Sequence, residues 1–246
     1  MGDAGRAVRV LHVDDDPDFA ELVSTFLERT DDRLEVATEH DARDALASLS
    51  DHAVDCVVSD YEMPEMDGLE FLEAVRERWT ELPFILFTAK GSEAVASDAI
   101  SAGVTDYLQK STSTEQYGLL ANRVCNAVER TRAKRERQRN LEAIERAQEG
   151  ISILNDDGTF LFVNETYADL YGYDREELLG AHWERLYRDE DVAEIRETVL
   201  PVLDAEGQWH GQTTGRRADG STFLEDHTLA RTDRGEIVCT VRDVTD

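Results

Sequence analysis

Val8-Arg9-Val10-Leu11-His12-Val13 runs straight into Asp14-Asp15-Asp16, so a short apolar-rich stretch stops on three carboxylates. Comparable stretches recur at Leu34–Ala37, Val54–Ser59, Phe84–Thr88 and Tyr107–Gln109. The segments between them carry apolar residues at helical spacing. These are Phe19, Leu22, Val23, Phe26 and Leu27; Ala42, Ala45, Leu46 and Leu49; Leu69, Leu72 and Val75; and Val95, Ala99 and Ile100. Strands covered on both faces read as apolar runs, and helical crossovers between them go with parallel pairing. Five such units predict an α/β fold built on an open, doubly wound parallel sheet.

In open α/β sheets the chemistry gathers where the strands end. The first run ends on Asp14-Asp15-Asp16, the third on Ser59-Asp60, the fourth on Thr88-Ala89 and the fifth on Gln109-Lys110. Carboxylates that cluster repel one another unless a cation joins them, and hard oxygen ligands with little enclosure suit Mg²⁺. A metal and a lysine beside a carboxylate are what phosphoryl transfer needs, because charge on the transferred oxygens must be neutralised. An Asp after a strand often does no more than cap the next helix. Here four strand ends contribute at once, and they use one of only three lysines (Lys90, Lys110, Lys134).

The chain has 246 residues, with 54 acidic and 26 basic side chains and a net charge of -28. Binding driven by the nucleic-acid backbone rests on Lys and Arg, so this balance speaks against a nucleic-acid partner. The length fits one large or two ordinary domains. No run approaches the span of a membrane helix and no signal-peptide pattern opens the chain, so a cytoplasmic protein without a membrane partner is expected. Cys56, Cys125 and Cys239 are odd in number and far apart, which fits neither a disulfide framework nor a paired-cysteine metal site. Many carboxylates beside almost no lysine suggest a salt-loving cytoplasm, where molar salt shortens the Debye length to about 3 Å.

From Leu119 to about Glu149 neither Gly nor Pro occurs, and one helix of about 46 Å is expected there. Its seam (Leu120, Val124, Ala127, Thr131, Lys134, Gln138, Leu141) weakly specifies a coiled coil. Arg130, Arg132, Lys134, Arg135, Arg137 and Arg139 crowd its middle; on a helix they spread around the axis rather than forming one face. From Gly150 two apolar runs, Ile151–Leu154 and Phe160–Val163, flank an Asp157-Gly158 turn. Short helical stretches follow through Leu203, then three strand-like segments with turns at Asp219-Gly220 and Arg234-Gly235. This predicts an α+β domain on an antiparallel sheet.

The first part resembles the receiver domain of response regulators. The resemblance rests on Val10-Leu11-His12-Val13-Asp14-Asp15-Asp16-Pro17, on Asp60-Tyr61-Glu62-Met63-Pro64-Glu65-Met66-Asp67-Gly68, on Thr88-Ala89 and on Tyr107-Leu108-Gln109-Lys110. It implies a flavodoxin-like sheet in the order 2-1-3-4-5, with Asp60 as the phosphate acceptor. Asp15, Asp60 and the backbone carbonyl of Glu62 would hold Mg²⁺, with Asp14 acting largely through water. Lys110 would pair with the phosphate, and Thr88 and the switch aromatic Tyr107 would move with it. Ser111 follows Lys110 where many receivers have proline, so the geometry of the next loop is open. A haloacid-dehalogenase-type phosphatase would want Asp two residues after the acceptor, and position 62 is Glu.

Residues from about 140 resemble a PAS domain. The match rests on Gly150-Ile151, Asp157-Gly158, Val163-Asn164-Glu165, Tyr171-Gly172-Tyr173, Glu177-Leu178-Leu179-Gly180, Arg217-Ala218-Asp219-Gly220-Ser221 and Val241-Arg242-Asp243-Val244-Thr245. A photoactive flavin would need a Cys that this segment lacks. His182 is read as starting a helix rather than as a haem ligand. Trp183, Trp209, Tyr167 and Phe162 are read as core or pocket lining, and the PAS ligand stays unidentified. The expected layout is a receiver of haloarchaeal type over 6–118, a helical linker over 119–149 and a PAS domain over 150–246. The implied function is a phosphorelay response regulator served by a histidine kinase or phosphotransfer protein. No dedicated enzyme activity is expected beyond self-phosphorylation and autodephosphorylation. A homodimer through the receiver face, the linker or the PAS domain fits this layout. The alternatives are a PAS scaffold or dimerisation protein, or the N-terminal part of a larger hybrid histidine kinase, because the closing Asp243-Val244-Thr245 motif usually leads onward.

Overall fold

The computed structural model describes residues 5–89 and 93–245, which form two compact units, one ending at Glu136 and one starting at Arg137. In the first unit five strands form one parallel sheet: β1 (Val8–Val13), β2 (Leu34–Glu39), β3 (Cys56–Ser59), β4 (Phe84–Thr88) and β5 (Asp106–Gln109). Their order is β2-β1-β3-β4-β5, as the flavodoxin-like reading requires. Helices α1 (Pro17–Thr30) and α5 (Glu115–Glu145) cover one face, where Val23, Leu27, Leu120 and Val124 pack on Val10, Val58, Ile85 and Phe87. Helices α2 (Ala42–Asp51), α3 (Gly68–Arg78) and α4 (Glu93–Ser101) cover the other, where Ala45, Phe71, Leu72 and Ala99 pack on Leu11, Val57 and Leu86. Every residue of β3 and β4 is buried, which is why these strands read as unbroken apolar runs.

α5 starts four residues before the predicted helix, takes Gly118 into its first turn, and ends at Glu145 rather than Glu149. The packing of Tyr117, Leu120, Ala121 and Val124 in the core outweighs the cost of one helical glycine, about 1 kcal/mol. The first positions of the expected coiled-coil seam are therefore core of the first unit. The basic stretch is also partly engaged there. Arg132 reaches Asp55 at 3.2 Å and donates to the Ala7 carbonyl, while Lys134 and Arg135 meet Glu81 at 2.7 and 3.8 Å. Leu22 and Ile100, placed by periodicity on buried faces, lie exposed.

The second unit is an antiparallel sheet in the order β7-β6-β10-β9-β8. Its strands are β6 (Gly150–Leu154), β7 (Phe160–Val163), β8 (Gln208–Arg216), β9 (Thr222–Arg231) and β10 (Ile237–Asp243). Between β7 and β8 the chain makes α6 (Glu165–Tyr171), α7 (Arg175–Leu178), a 3₁₀ turn (Trp183–Leu186), and a helical run of α8 (Asp189–Glu194), a π turn (Ile195–Val199) and α9 (Leu200–Glu206). Pro201 lacks the N–H that would continue the α ladder back into the π turn, a common cause of such a widening. The core gathers Phe160, Tyr167, Tyr171, Leu178, Leu186, Leu203 and Phe223 against one sheet face. The closing motif folds back on β9: Val244 donates to the Leu224 carbonyl and Leu224 N–H to Thr245 Oγ1.

Candidate functional site

The three carboxylates come together for a local reason and a long-range one. β1 delivers Asp14 at its end, and Asp16 turns away to cap α1 by accepting from the N–H groups of Asp18 and Phe19. β3 lies beside β1, and the Asp60 N–H donates to the Val13 carbonyl at 2.8 Å, which sets Asp60 level with Asp14. Asp14, Asp15 and Asp60 then each offer an oxygen within 4.8 Å of the others. Asp14 and Asp60 are almost fully buried, whereas Asp15 faces solvent.

Lys110 supplies positive charge. Its Nζ lies 2.8 Å from Asp14 Oδ2 and 3.1 Å from Asp60 Oδ2, and sits over the Phe19 ring at 4.4 Å. His12 adds none. It is fully buried with Nε2 4.0 Å from Asp14, and burial, helped by the Lys110 ammonium, pulls its pKa down to about 4. Thr88 ends β4, is buried, and its carbonyl accepts from the Lys110 N–H at 2.8 Å. Tyr107, opposite Leu86 in the sheet, is half-buried against the α3 side of the core, and burial raises its pKa. Glu62 lies exposed in the loop that follows Asp60. Thus four of the expected residues, Asp14, Asp15, Asp60 and Lys110, share one cluster, with Thr88 at the next strand end.

Where proline was the common alternative, Ser111 is held by the side-chain amide of Gln116, which accepts from its N–H and donates to its carbonyl, both at 2.7 Å. The role of Gln116 carries no motif signal, because any polar residue there would read as helix surface. Phe19 reads equally well as a plain core position, so its place under the ammonium was likewise silent.

Gly68 sets the floor of the site. It opens α3 under a capping box of Asp67 and Glu70, and its N–H donates to the Tyr61 carbonyl. A Cβ here would collide with the Asp60 carbonyl oxygen and stand 2.9 Å from both Leu86 Cδ2 and Tyr61 Cα. Two of these obstacles are backbone and cannot swing aside. Gly68→Ala is expected to cost about 3 kcal/mol, read as a lower denaturant midpoint for the first unit. A midpoint unchanged within error would show that the loop has room to give.

In the second unit Tyr167 and Trp183 line an interior cavity, and Trp209 packs edge-on against His227. Phe162 lies instead near the Arg175 guanidinium, 5.7 Å away. His182 caps the 3₁₀ turn, and its Nε2 lies 2.9 Å from the Asp157 carbonyl.

Comparison with known proteins follows the same division. Residues 10–120 match the response regulator receiver domain family and residues 148–246 a PAS domain family. A protein-glutamate methylesterase/protein-glutamine glutaminase of Nocardioides is 36% identical over 124 residues, 49% of this chain and 34% of its own. A 14.6 kDa protein of Leptolyngbya boryana is 37% identical over 120 residues, 48% of this chain and 90% of its own. The bacterioopsin transcriptional activator of Halobacterium salinarum is 26% identical over 213 residues, 78% of this chain and 31% of its own. The chain thus spans about a third of the length of the methylesterase and of the activator. No described helix is long and apolar enough to cross a membrane. The chain belongs to the response regulator receiver domain family through residues 10–120, and a PAS domain follows over residues 148–246.

Proposed function

We propose that the protein is a phosphorelay response regulator that accepts a phosphoryl group on Asp60 and couples that event to a PAS sensory or docking domain. The observation that carries this reading is the cluster of Asp14, Asp15 and Asp60 within 4.8 Å, with the Lys110 ammonium against Asp14 and Asp60. A carboxylate oxygen of Asp60 attacks phosphorus, and the bond from phosphorus to the donor's nitrogen or oxygen breaks. The leaving imidazole of a histidine kinase or phosphotransfer protein, or the leaving acetate of a small donor, departs with the bonding pair. Lys110 faces the developing negative charge from a preset position, so little reorganisation is needed there.

The donor set fits a hard divalent cation: clustered carboxylate oxygens at a shallow, partly solvated edge. Asp15 and Asp60, with the Glu62 carbonyl, would hold Mg²⁺ directly and Asp14 through water. When bound, the ion supplies charge neutralisation for the incoming phosphoryl oxygens. Thr88 and Tyr107 are assigned as the residues that follow the phosphate: a hydroxyl at the end of β4 and a half-buried ring on β5. The working division is a receiver over 6–118, a linker over 119–149 and a PAS domain over 150–246. The acidity, net -18 over residues 1–118, +3 over the linker and -13 over residues 150–246, is read as adaptation of two domain surfaces to a salty cytoplasm of haloarchaeal type.

The test is direct. With Mg²⁺ and acetyl phosphate, the intact mass of the full chain is expected to rise by one phosphoryl group, and EDTA is expected to prevent the rise. No uptake, or uptake indifferent to EDTA, would count against the reading.

A further inference from the structure

The inner face of β9 places a glutamate and a histidine, Glu225 and His227, where an apolar strand face would be expected. Glu225 is wholly buried, and hydroxyls of α6 and β8 converge on it. Tyr171 of α6 donates to Oε2 and Thr213 of β8 donates to Oε1 at 2.6 Å, while Tyr187, just past the 3₁₀ turn, lies near enough for Glu225 to help raise its pKa. Burial keeps both tyrosines protonated far above their usual range. Each hydroxyl has one proton, and once it points at Glu225 only oxygen lone pairs remain for anything else.

The same accounting fixes His227. Burial lowers its pKa, so the ring is neutral and carries one N–H. Its Nε2 lies 3.1 Å from Thr213 Oγ1, whose proton is already given to Glu225, so Nε2 must be the donor. Nδ1 is then the ring's acceptor, facing the Cys239 thiol at 3.8 Å. The glutamate thus imposes its polarity outward through Thr213 and His227.

Tyr187, His227 and Cys239 form the polar end of an interior cavity of about 60 Å³ whose other walls include Leu154, Leu229 and Ile237. That volume is several times the roughly 10–15 Å³ one water needs on this kind of measure. The polar end of the cavity therefore presents acceptors, with the Glu225 side chain behind them through Thr213 and His227.

We propose that this cavity binds a small organic amine of about five heavy atoms, its N–H groups facing Tyr187 and His227 and its carbon chain against the apolar walls. A carboxylate of the same length meets lone pairs and a buried glutamate, and is excluded. The proposal rests on the sensory reading of the PAS domain and adds the ligand's chemical class.

Isothermal titration of the full chain with n-butylamine, 1-butanol and butyrate at matched ionic strength tests it, with tryptophan fluorescence as a second readout because Trp183 lines the cavity. Butylamine is expected to bind at least about tenfold more tightly than butanol, the scale of one charge-assisted hydrogen bond, and butyrate not at all. Glu225→Gln, nearly isosteric, is expected to bring amine and alcohol within about threefold, since the reference charge is gone. If that variant loses its near-UV dichroism, Thr213→Val serves instead; it cuts the relay to His227 and should narrow the same preference. Tighter binding of butanol or butyrate would overturn the amine assignment and leave the PAS domain a sensor. An amine preference unchanged in both variants would also overturn it. Failure of all three compounds to bind would overturn the cavity as a ligand site, whereas acetyl phosphate labelling of the receiver reports separately on the phosphorelay reading.

Discussion

Asp60→Asn is expected to take up phosphoryl groups from acetyl phosphate more than about a hundredfold more slowly than the parent chain, because an amide oxygen is not a nucleophile under these conditions. The loss should be chemical rather than structural. Asp60 Oδ1 accepts from the Tyr61 N–H at 2.7 Å and Oδ2 faces Lys110 at 3.1 Å. Asparagine can keep only one of these, since its NH₂ must face either the peptide N–H or the ammonium. Against that loss stands relief of repulsion: three carboxylates around one ammonium become two. The two terms oppose each other, so the change in stability should stay within about 1 kcal/mol. Lys110 keeps its 2.8 Å contact with Asp14 in either case. Intact-mass kinetics and a denaturation curve on the same preparation separate the two effects. Labelling at the parental rate would move the acceptor to another residue, and a collapse in stability would mean that Asp60 is chiefly structural.

The receiver half was legible because its signals are local and redundant. β1 and β4 match the expected runs end to end, and β3 is shorter only by Val54 and Asp55. A strand end is a position that periodicity locates well, so the four strand-end groups at Asp14, Asp60, Thr88 and Lys110 are legible from the sequence alone. What sequence could not supply was which side chains would be neighbours across the chain. Leu22 and Ile100 fit the helical period yet lie at the margin of the buried stripe, where a few degrees decide exposure. Gly118 reads as a helix boundary on propensity alone, which carries no trace of the core that α5 reaches. The PAS half was harder. Its short helices carry little periodicity, and its buried polar groups come from α6, β8, β9 and the chain after the 3₁₀ turn. One signal was available: Phe223, Glu225, His227 and Leu229 alternate on one strand face, and two ionisable residues between apolar ones on that face mark an interior polar site.

The other large effect is expected at Asn164, where the polar accounting is as tight as at Glu225 but the purpose is structural. Asn164 is fully buried and uses all four hydrogen-bonding positions of its side chain. Oδ1 accepts from the N–H of Ile151 in β6 at 2.8 Å and from that of Tyr167 in α6 at 2.9 Å, which makes it the cap of α6. Nδ2 donates to the carbonyls of Ile144, in the last turn of α5, and of Glu149, both at 3.0 Å. One amide therefore ties the end of the linker helix, the first PAS strand and the first PAS helix together. Asn164→Asp keeps the two acceptor contacts but turns an oxygen toward two carbonyls inside the core. It should destabilise the second unit by about 3 kcal/mol or more, because two acceptors lose their donor and a carboxylate is buried against them. Asn164→Ser, which retains the capping oxygen and imposes no repulsion, should cost less, about 2 kcal/mol. Hydrogen exchange read at the last turn of α5 and at β6 checks the ordering, since those amides should lose protection first while the receiver sheet keeps its own. Equal protection in both variants would mean that the linker helix is held to the PAS domain by other contacts, such as Glu145 with Arg175 at 2.9 Å. In that case Asn164 would be a cap for α6 and nothing more.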